Sequence, residues 1–206
     1  VNNYISNDLS SFYLDFTKDI LYIDAEDSKA RRSIQTVLYH HVSDMVRLLA
    51  PVIPHTADEV YSYIPGRTEV SAYLTDMPTV KEYANAAEVT VKWNQLLSLR
   101  HDVLKALEEA RNEKVIGKSL TASLHVYPDA QTKELLESLQ ADLKQIFIVS
   151  ELVIEEGAAP ENALQFDGLA VVVKAAEGHT CDRCWLVVTD VNEQGICPRC
   201  SEVVNG

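Results

Sequence analysis

Four cysteines, all within the last 26 residues, constrain this chain more than any other feature. They form two Cys-x-x-Cys pairs, Cys181-Asp182-Arg183-Cys184 and Cys197-Pro198-Arg199-Cys200, with twelve residues between them. Each pair can present two thiolates on one side of a turn. Two such turns brought together make a tetrahedral sulfur cage of the kind that holds one structural zinc ion. Gly195 suits a tight turn into the second pair, and the insert 186–194 is long enough for a short hairpin. Too few apolar residues surround this segment to fold it unaided, so the metal would supply the missing free energy. With all four positions taken by thiolates, no site is left for water and no metal-centred catalysis is expected. The alternatives are disulfides, which need an oxidising compartment that nothing here suggests, and a redox motif, which would not normally come twice. His179 could replace one cysteine as a ligand or stand beside the site in solvent.

The rest of the chain reads as an ordinary folded protein. Of its 206 residues, 47% are apolar and 24% charged, which is globular rather than disordered usage. No apolar run approaches the roughly 20 residues that cross a bilayer, so no membrane partner is expected. The opening Val1-Asn2-Asn3-Tyr4 lacks an initiator Met and a leader pattern, and is expected to be an internal cut in a longer protein. The net charge of −13 argues against a nucleic-acid partner, but the average conceals a bias. Segments 1–80, 119–177 and 178–206 carry −5, −7 and −2, whereas 81–118 carries +1. An acidic protein with one non-acidic strip could bind RNA there and repel it elsewhere; equally, the strip could be a solvated helix face.

Periodicity predicts helices first. Ile34, Val37, Leu38, His41, Val42, Met45, Leu48 and Leu49 form one stripe, with Ser28 as N-cap and Pro51 as stop. Ile5, Leu9, Phe12, Tyr13, Phe16, Ile20 and Leu21 form an earlier stripe, and 55–63 a short helix. Residues 66–84 show no period and read as a connection. The longest helix covers 86–114, with Trp93, Leu96, Leu97, Arg100, Val103, Leu104, Leu107, Ala110 and Arg111 on its apolar side. Three or four antiparallel helices around one core would account for all of this. Alternation then takes over: a strand at 120–127, a helix at about 132–143, strands at 146–149 and 152–155, and a strand at 169–174 after an Asp167-Gly168 turn. The expected fold is mainly α. A helical bundle (1–116) is followed by a small α+β unit (117–177) and a zinc ribbon or knuckle (178–206). Gly117-Lys118-Ser119 only superficially matches a phosphate loop, because the order here is helix then strand. Gly117 reads as a C-capping glycine, with Lys114 and Lys118 near the helix C-terminus.

Several stretches resemble a known family. Asp8-Leu9-Ser10-Ser11-Phe12-Tyr13-Leu14-Asp15 with Lys18-Asp19-Ile20-Leu21-Tyr22 looks like the opening of the anticodon-binding helical domain of isoleucyl-tRNA synthetases. Leu48-Leu49-Ala50-Pro51-Val52-Ile53-Pro54-His55 resembles a segment shared by the isoleucyl, valyl, leucyl and methionyl enzymes. Ile116-Gly117-Lys118-Ser119-Leu120 and the closing Cys181-Asp182-Arg183-Cys184-Trp185 with Cys197-Pro198-Arg199-Cys200 resemble the bacterial-type isoleucyl enzymes more specifically.

The resemblance implies the anticodon-binding type of class I synthetase bundle, in a cytoplasmic, monomeric enzyme that joins isoleucine to its tRNA. Its ATP and magnesium would belong to a catalytic domain outside this sequence. The partners implied are the anticodon stem-loop of the isoleucine tRNA and the catalytic and editing domains of the same polypeptide. The His-Ile-Gly-His and Lys-Met-Ser-Lys-Ser signatures are absent, so this chain alone should not aminoacylate.

For an anticodon loop, Trp185 could offer a stacking face or pack against the cysteine sulfurs. Arg183 and Arg199 could project as a pair of guanidiniums or be plain solvated residues. Arg100 and Arg111 suit phosphate or base-edge contacts, although Arg100 could instead be a core-edge residue paired with a carboxylate. Lys114 and Lys118 are the more exposed candidates, and Arg31, Arg32 and Arg47 secondary ones; Lys105 is expected to pair with Glu109. The rivals are the same region of another class I synthetase and a free-standing zinc-ribbon module that binds protein.

Overall fold

The computed structural model describes residues 1–139 and 142–206. After a π-helical start over Tyr4–Tyr13, the chain forms α1 (Leu14–Ile23), α2 (Lys29–Leu49), α3 (Pro54–Ser62) and α4 (Ala86–Asn112). Strand β1 (Ala122–Pro128) precedes α5 (Ala130–Ser138) and α6 (Leu143–Phe147). Then come β2 (Glu151–Ile154), β3 (Leu164–Phe166), β4 (Leu169–Ala175), β5 (His179–Thr180), β6 (Val187–Val188) and α7 (Pro198–Asn205). The chain divides into two compact units, one of residues 1–23 with 85–206 and the other of 24–84.

In the 24–84 unit, Ser28 caps α2 by accepting from the Arg31 amide, and Pro54 starts α3 where its missing amide hydrogen is not needed. Val46, Ala50, Ala57, Tyr61, Ile64 and Ala72 form a small core. Tyr73 Oη donates to the Ala50 carbonyl at 2.8 Å, and Asp58 accepts from the Ala72 amide at 3.0 Å. These bonds pin the otherwise irregular 66–84 connection.

The larger unit is built on α4 and a four-stranded sheet in the order β2-β1-β4-β3. Leu124 and Val126 on β1 and Val171 on β4 face Leu96, Val103, Leu107 and Ala110 of α4, in one core that also takes in Ile146 and Phe147. The mainly α fold with a small sheet unit and a clustered cysteine tail is as expected, but the helices do not share one core. Helix α4 buries its stripe against the sheet, while α2 and α3 keep a core of their own. Strands β1 and β2 run parallel, which requires a crossover, and α5 and α6 lie in it.

Three local expectations also change. Residues 146–149 are not a strand: Asp142 caps α6 by accepting from the Gln145 amide, and Ile148 closes it in the left-handed conformation. A run of four apolar residues carries no period that separates the two states. The expected helix at 132–143 ends at Ser138, and its positions 140–141 lie outside the described residues. Helix α4 is terminated by Lys114 at φ 62°, not by Gly117. The Lys114 amide bonds to the Arg111 carbonyl and the Val115 amide to that of Ala110, a Schellman closure. The Asp167-Gly168 turn was legible, but its partner strand β3 was not.

Candidate metal centre and adjoining cleft

Strands β5 and β6 pair antiparallel, and the first cysteine pair occupies the turn between them. The predicted hairpin therefore lies around the knuckle rather than inside 186–194. The Cys181 amide donates to the Leu186 carbonyl and the Trp185 amide to the Cys181 carbonyl, at 2.9 and 2.8 Å. The hairpin is tied to the sheet by the Val187 amide, which donates to Ser150 Oγ at 2.7 Å. Asn192 Oδ1 accepts from the Gln194 and Ile196 amides, shaping the turn into the second pair. Gly195 is needed in that turn: its φ is +72°, and a Cβ there would stand 2.4 Å from Asp182 Oδ2. Cys200 then lies in the first turn of α7, which opens on Pro198.

The four sulfurs come together. Cys181, Cys184, Cys197 and Cys200 are all buried, and their Sγ atoms lie within 4.8 Å of one another. Sulfurs about 2.3 Å from a central zinc would sit about 3.8 Å apart at tetrahedral angles, and Cys184 and Cys197 are separated by 3.8 Å. His179 is exposed on β5 and is not in this cluster.

The donor set suits a dication. Burial resists ionisation of the Cys181 thiol, but amide hydrogens of Cys184, Cys197 and Arg183 outweigh it and bring the thiol down to about 6. At Cys184 and Cys200 burial prevails and pushes the thiols up. A bound cation is what would let the remaining protons leave. A zinc ion with four thiolates keeps a double negative charge, and two guanidiniums stand ready to offset it. Arg183 favours the thiolate form of Cys200, and Arg199 lies in the field of Cys184 and Cys200.

Beside the cluster lies a cleft of about 630 Å³ whose walls include Phe16, Tyr22, Lys18, Lys144 and Trp185. Trp185 is 66% exposed and holds φ +64°. That conformation is strained for a bulky residue and is found where function or a rigid frame imposes it. Packing of its ring against the sulfurs, the other sequence reading, does not fit that exposure.

The basic residues fare unequally. Arg199 gives both terminal nitrogens to Asp19 at 2.6 and 2.7 Å, and Arg183 donates to the Ile23 carbonyl at 2.7 Å. Neither is a plain solvated side chain. Arg100 is corrected outright as a surface contact. It is 8% exposed, its Nε donates to the Ile146 carbonyl at 3.1 Å, and its guanidinium lies over the Phe12 ring. Arg111 is exposed and pairs with Glu108 at 2.8 Å. Lys114 and Lys118 are exposed at the end of α4 and after it. Lys105 lies over the Phe166 ring. Lys18, Tyr22 and Lys144 reach the cleft without having been singled out, because no local pattern indicates which distant segment a helix end will face.

Comparison with known proteins bears on this arrangement. A model of the anticodon-binding domain of tRNA ligases matches residues 1–127. The chain is 53% identical over 212 aligned positions to isoleucine–tRNA ligase of Bacillus cytotoxicus, covering 99% of this chain and 23% of that protein. The corresponding ligase of Bacillus cereus strain G9842 is 51% identical at the same coverage. The chain thus spans about a quarter of the length of these relatives.

Proposed function

Because the chain belongs to the anticodon-binding domain family of tRNA ligases, we propose that it is the C-terminal, tRNA-gripping part of an isoleucine–tRNA ligase. In this reading it works in the cytoplasm beside the catalytic and editing domains of the same polypeptide, which supply the ATP and magnesium chemistry. Segments 1–116, 117–177 and 178–206 serve as helical domain, junction and zinc element. Zinc, held by Cys181, Cys184, Cys197 and Cys200, supplies folding free energy to the tail.

One observation carries the reading: Trp185, next in sequence to a buried cysteine, is held exposed in a strained backbone conformation at the rim of a cleft. A flat face held rigidly beside a groove suits an unstacked base, and such stacking contributes about 1–3 kcal/mol per base. Lys114 and Lys118, with Arg111 able to exchange its partner Glu108 for phosphate, supply counter-charge in the only segment without an acidic excess. A gel shift at stated salt with an isoleucine tRNA, and with the same tRNA carrying a scrambled anticodon, tests this. Scrambling is expected to weaken binding at least about tenfold, which corresponds to about 1.4 kcal/mol. Equal binding to both would overturn the proposal.

A further inference from the structure

Arg183 and Arg199 occupy equivalent places in the two Cys-x-x-Cys turns, and both reach the same helix. Arg199 meets Asp19 end-on, with Nη1 to Oδ2 at 2.6 Å and Nη2 to Oδ1 at 2.7 Å, across 180 residues of sequence. Arg183 Nη1 meets the carbonyl of Ile23, the last residue of α1, at 2.7 Å. Carbonyls at a helix end lack partners within the helix and attract cations. The Ile23 side chain packs on the cysteine cluster itself. One forked ion pair, one hydrogen bond to a helix-end carbonyl and an apolar plug therefore fasten the knuckle to the C-terminal half of α1. Trp185 has little freedom of its own, because its amide is bonded to the Cys181 carbonyl and it follows Cys184 directly. Where its side chain leaves the backbone is set by how the knuckle as a whole is seated. Asp19, Arg183, Arg199 and Trp185 all border the same cleft.

We propose that Asp19 and Arg199, assisted by Arg183 on the Ile23 carbonyl, are positioning residues for RNA: they seat the cysteine knuckle on α1 so that Trp185 stands at the mouth of the cleft. This rests on Trp185 being the stacking residue. A bidentate carboxylate–guanidinium fork fixes orientation as well as distance, which a single apolar contact does not. With both terminal nitrogens committed to Asp19, Arg199 is a joint rather than a phosphate ligand.

The sign of one substitution separates the two roles. Asp19→Asn removes a negative charge and frees Arg199, so a purely electrostatic view expects tighter RNA binding. A joint expects weaker binding. The zinc-loaded chain, as Asp19→Asn, Arg199→Ala, the exchange Asp19→Arg with Arg199→Asp, and Trp185→Ala, is titrated with an isoleucine-tRNA anticodon stem-loop at two salt concentrations. Zinc content and quenching of Trp185 emission in a Trp93→Phe background are measured alongside. Asp19→Asn and Arg199→Ala are expected to keep one zinc, alter the quenching of Trp185 and weaken binding about tenfold, leaving the salt dependence unchanged; the exchange restores part of the loss. Unchanged or tighter binding by Asp19→Asn overturns the joint, as does loss of its zinc, which would make Asp19 a folding residue. A shallower salt dependence in Arg199→Ala alone, by about one phosphate contact, also overturns it. Loss with Trp185→Ala but not with Asp19→Asn leaves the stacking reading standing and removes the joint; no loss with either removes both.

Discussion

Cys184 and Cys197 hold their sulfurs 3.8 Å apart across thirteen residues of sequence, the edge length of a sulfur tetrahedron around zinc. Each chain should bind one zinc ion, and replacing any one of Cys181, Cys184, Cys197 or Cys200 by Ser should lower affinity by more than about 100-fold. Competition with a chelator, followed by metal content, measures this. A chelator should also open amide exchange in 179–200 before it does so in β1 and β4, whose ladder does not depend on the metal.

Trp185 should separate stability from binding. At φ +64° a glycine is unstrained, so Trp185→Gly should keep its zinc and stabilise the knuckle by about 1 kcal/mol, while weakening tRNA binding by at least about tenfold. Trp185→Ala should lose binding to the same extent without the stabilisation. Chelator resistance and stem-loop affinity, read on the same samples, check the pair.

Lys114 occupies a position that favours glycine. Lys114→Gly should stabilise the chain by about 1 kcal/mol in urea unfolding, and Gly117→Ala should not destabilise it through its backbone, since nothing lies within 4 Å of a Cβ there. If Lys114 also meets phosphate, the variant should bind tRNA more weakly even though it is the more stable protein.

Arg100 should behave as a core residue. Arg100→Ala would leave the Ile146 carbonyl unpaired and vacate space over Phe12, a loss of about 2–4 kcal/mol. The salt dependence of RNA binding by the folded fraction should not change, whereas loss of a phosphate contact would reduce the slope by about one.

Asp129 links stability to acid. Its carboxylate accepts from the Thr132 amide at 2.7 Å, and that bond, with the Thr132 side chain, holds its pKa below the ordinary 3.8. A depressed folded pKa contributes stability in full above the unfolded value, and loses it as pH falls through the folded one. Asp129→Asn keeps a good N-cap without the titration. The urea midpoint of the variant should therefore fall less than that of the parent between pH 4 and pH 2.

How much was legible varied with the range of the interaction. The stripe on α4 and the alternation on β1 are properties of ten or so neighbouring residues, and both elements formed where the pattern put them. The run at 146–149 reads as a strand because four consecutive apolar residues carry no period, and only the Asp142 cap and the left-handed Ile148 decide for helix. Arg100 was ambiguous for the same reason: an arginine on an apolar stripe is either a groove contact or a buried donor, and Ile146, 46 residues away, settled it.

The sequence by itself determined the four-cysteine cluster, because two short turns of fixed spacing make nearly the same geometry in any surroundings. It also determined α1 to α5 and strands β1, β2 and β4, whose periods are local. Only the tertiary structure decided that α4 packs under a sheet rather than in a bundle core. Likewise, only the fold revealed that both knuckle arginines turn inward to α1. Those outcomes depend on which distant donor meets which acceptor once the chain is compact, and spacing along a sequence carries no such information.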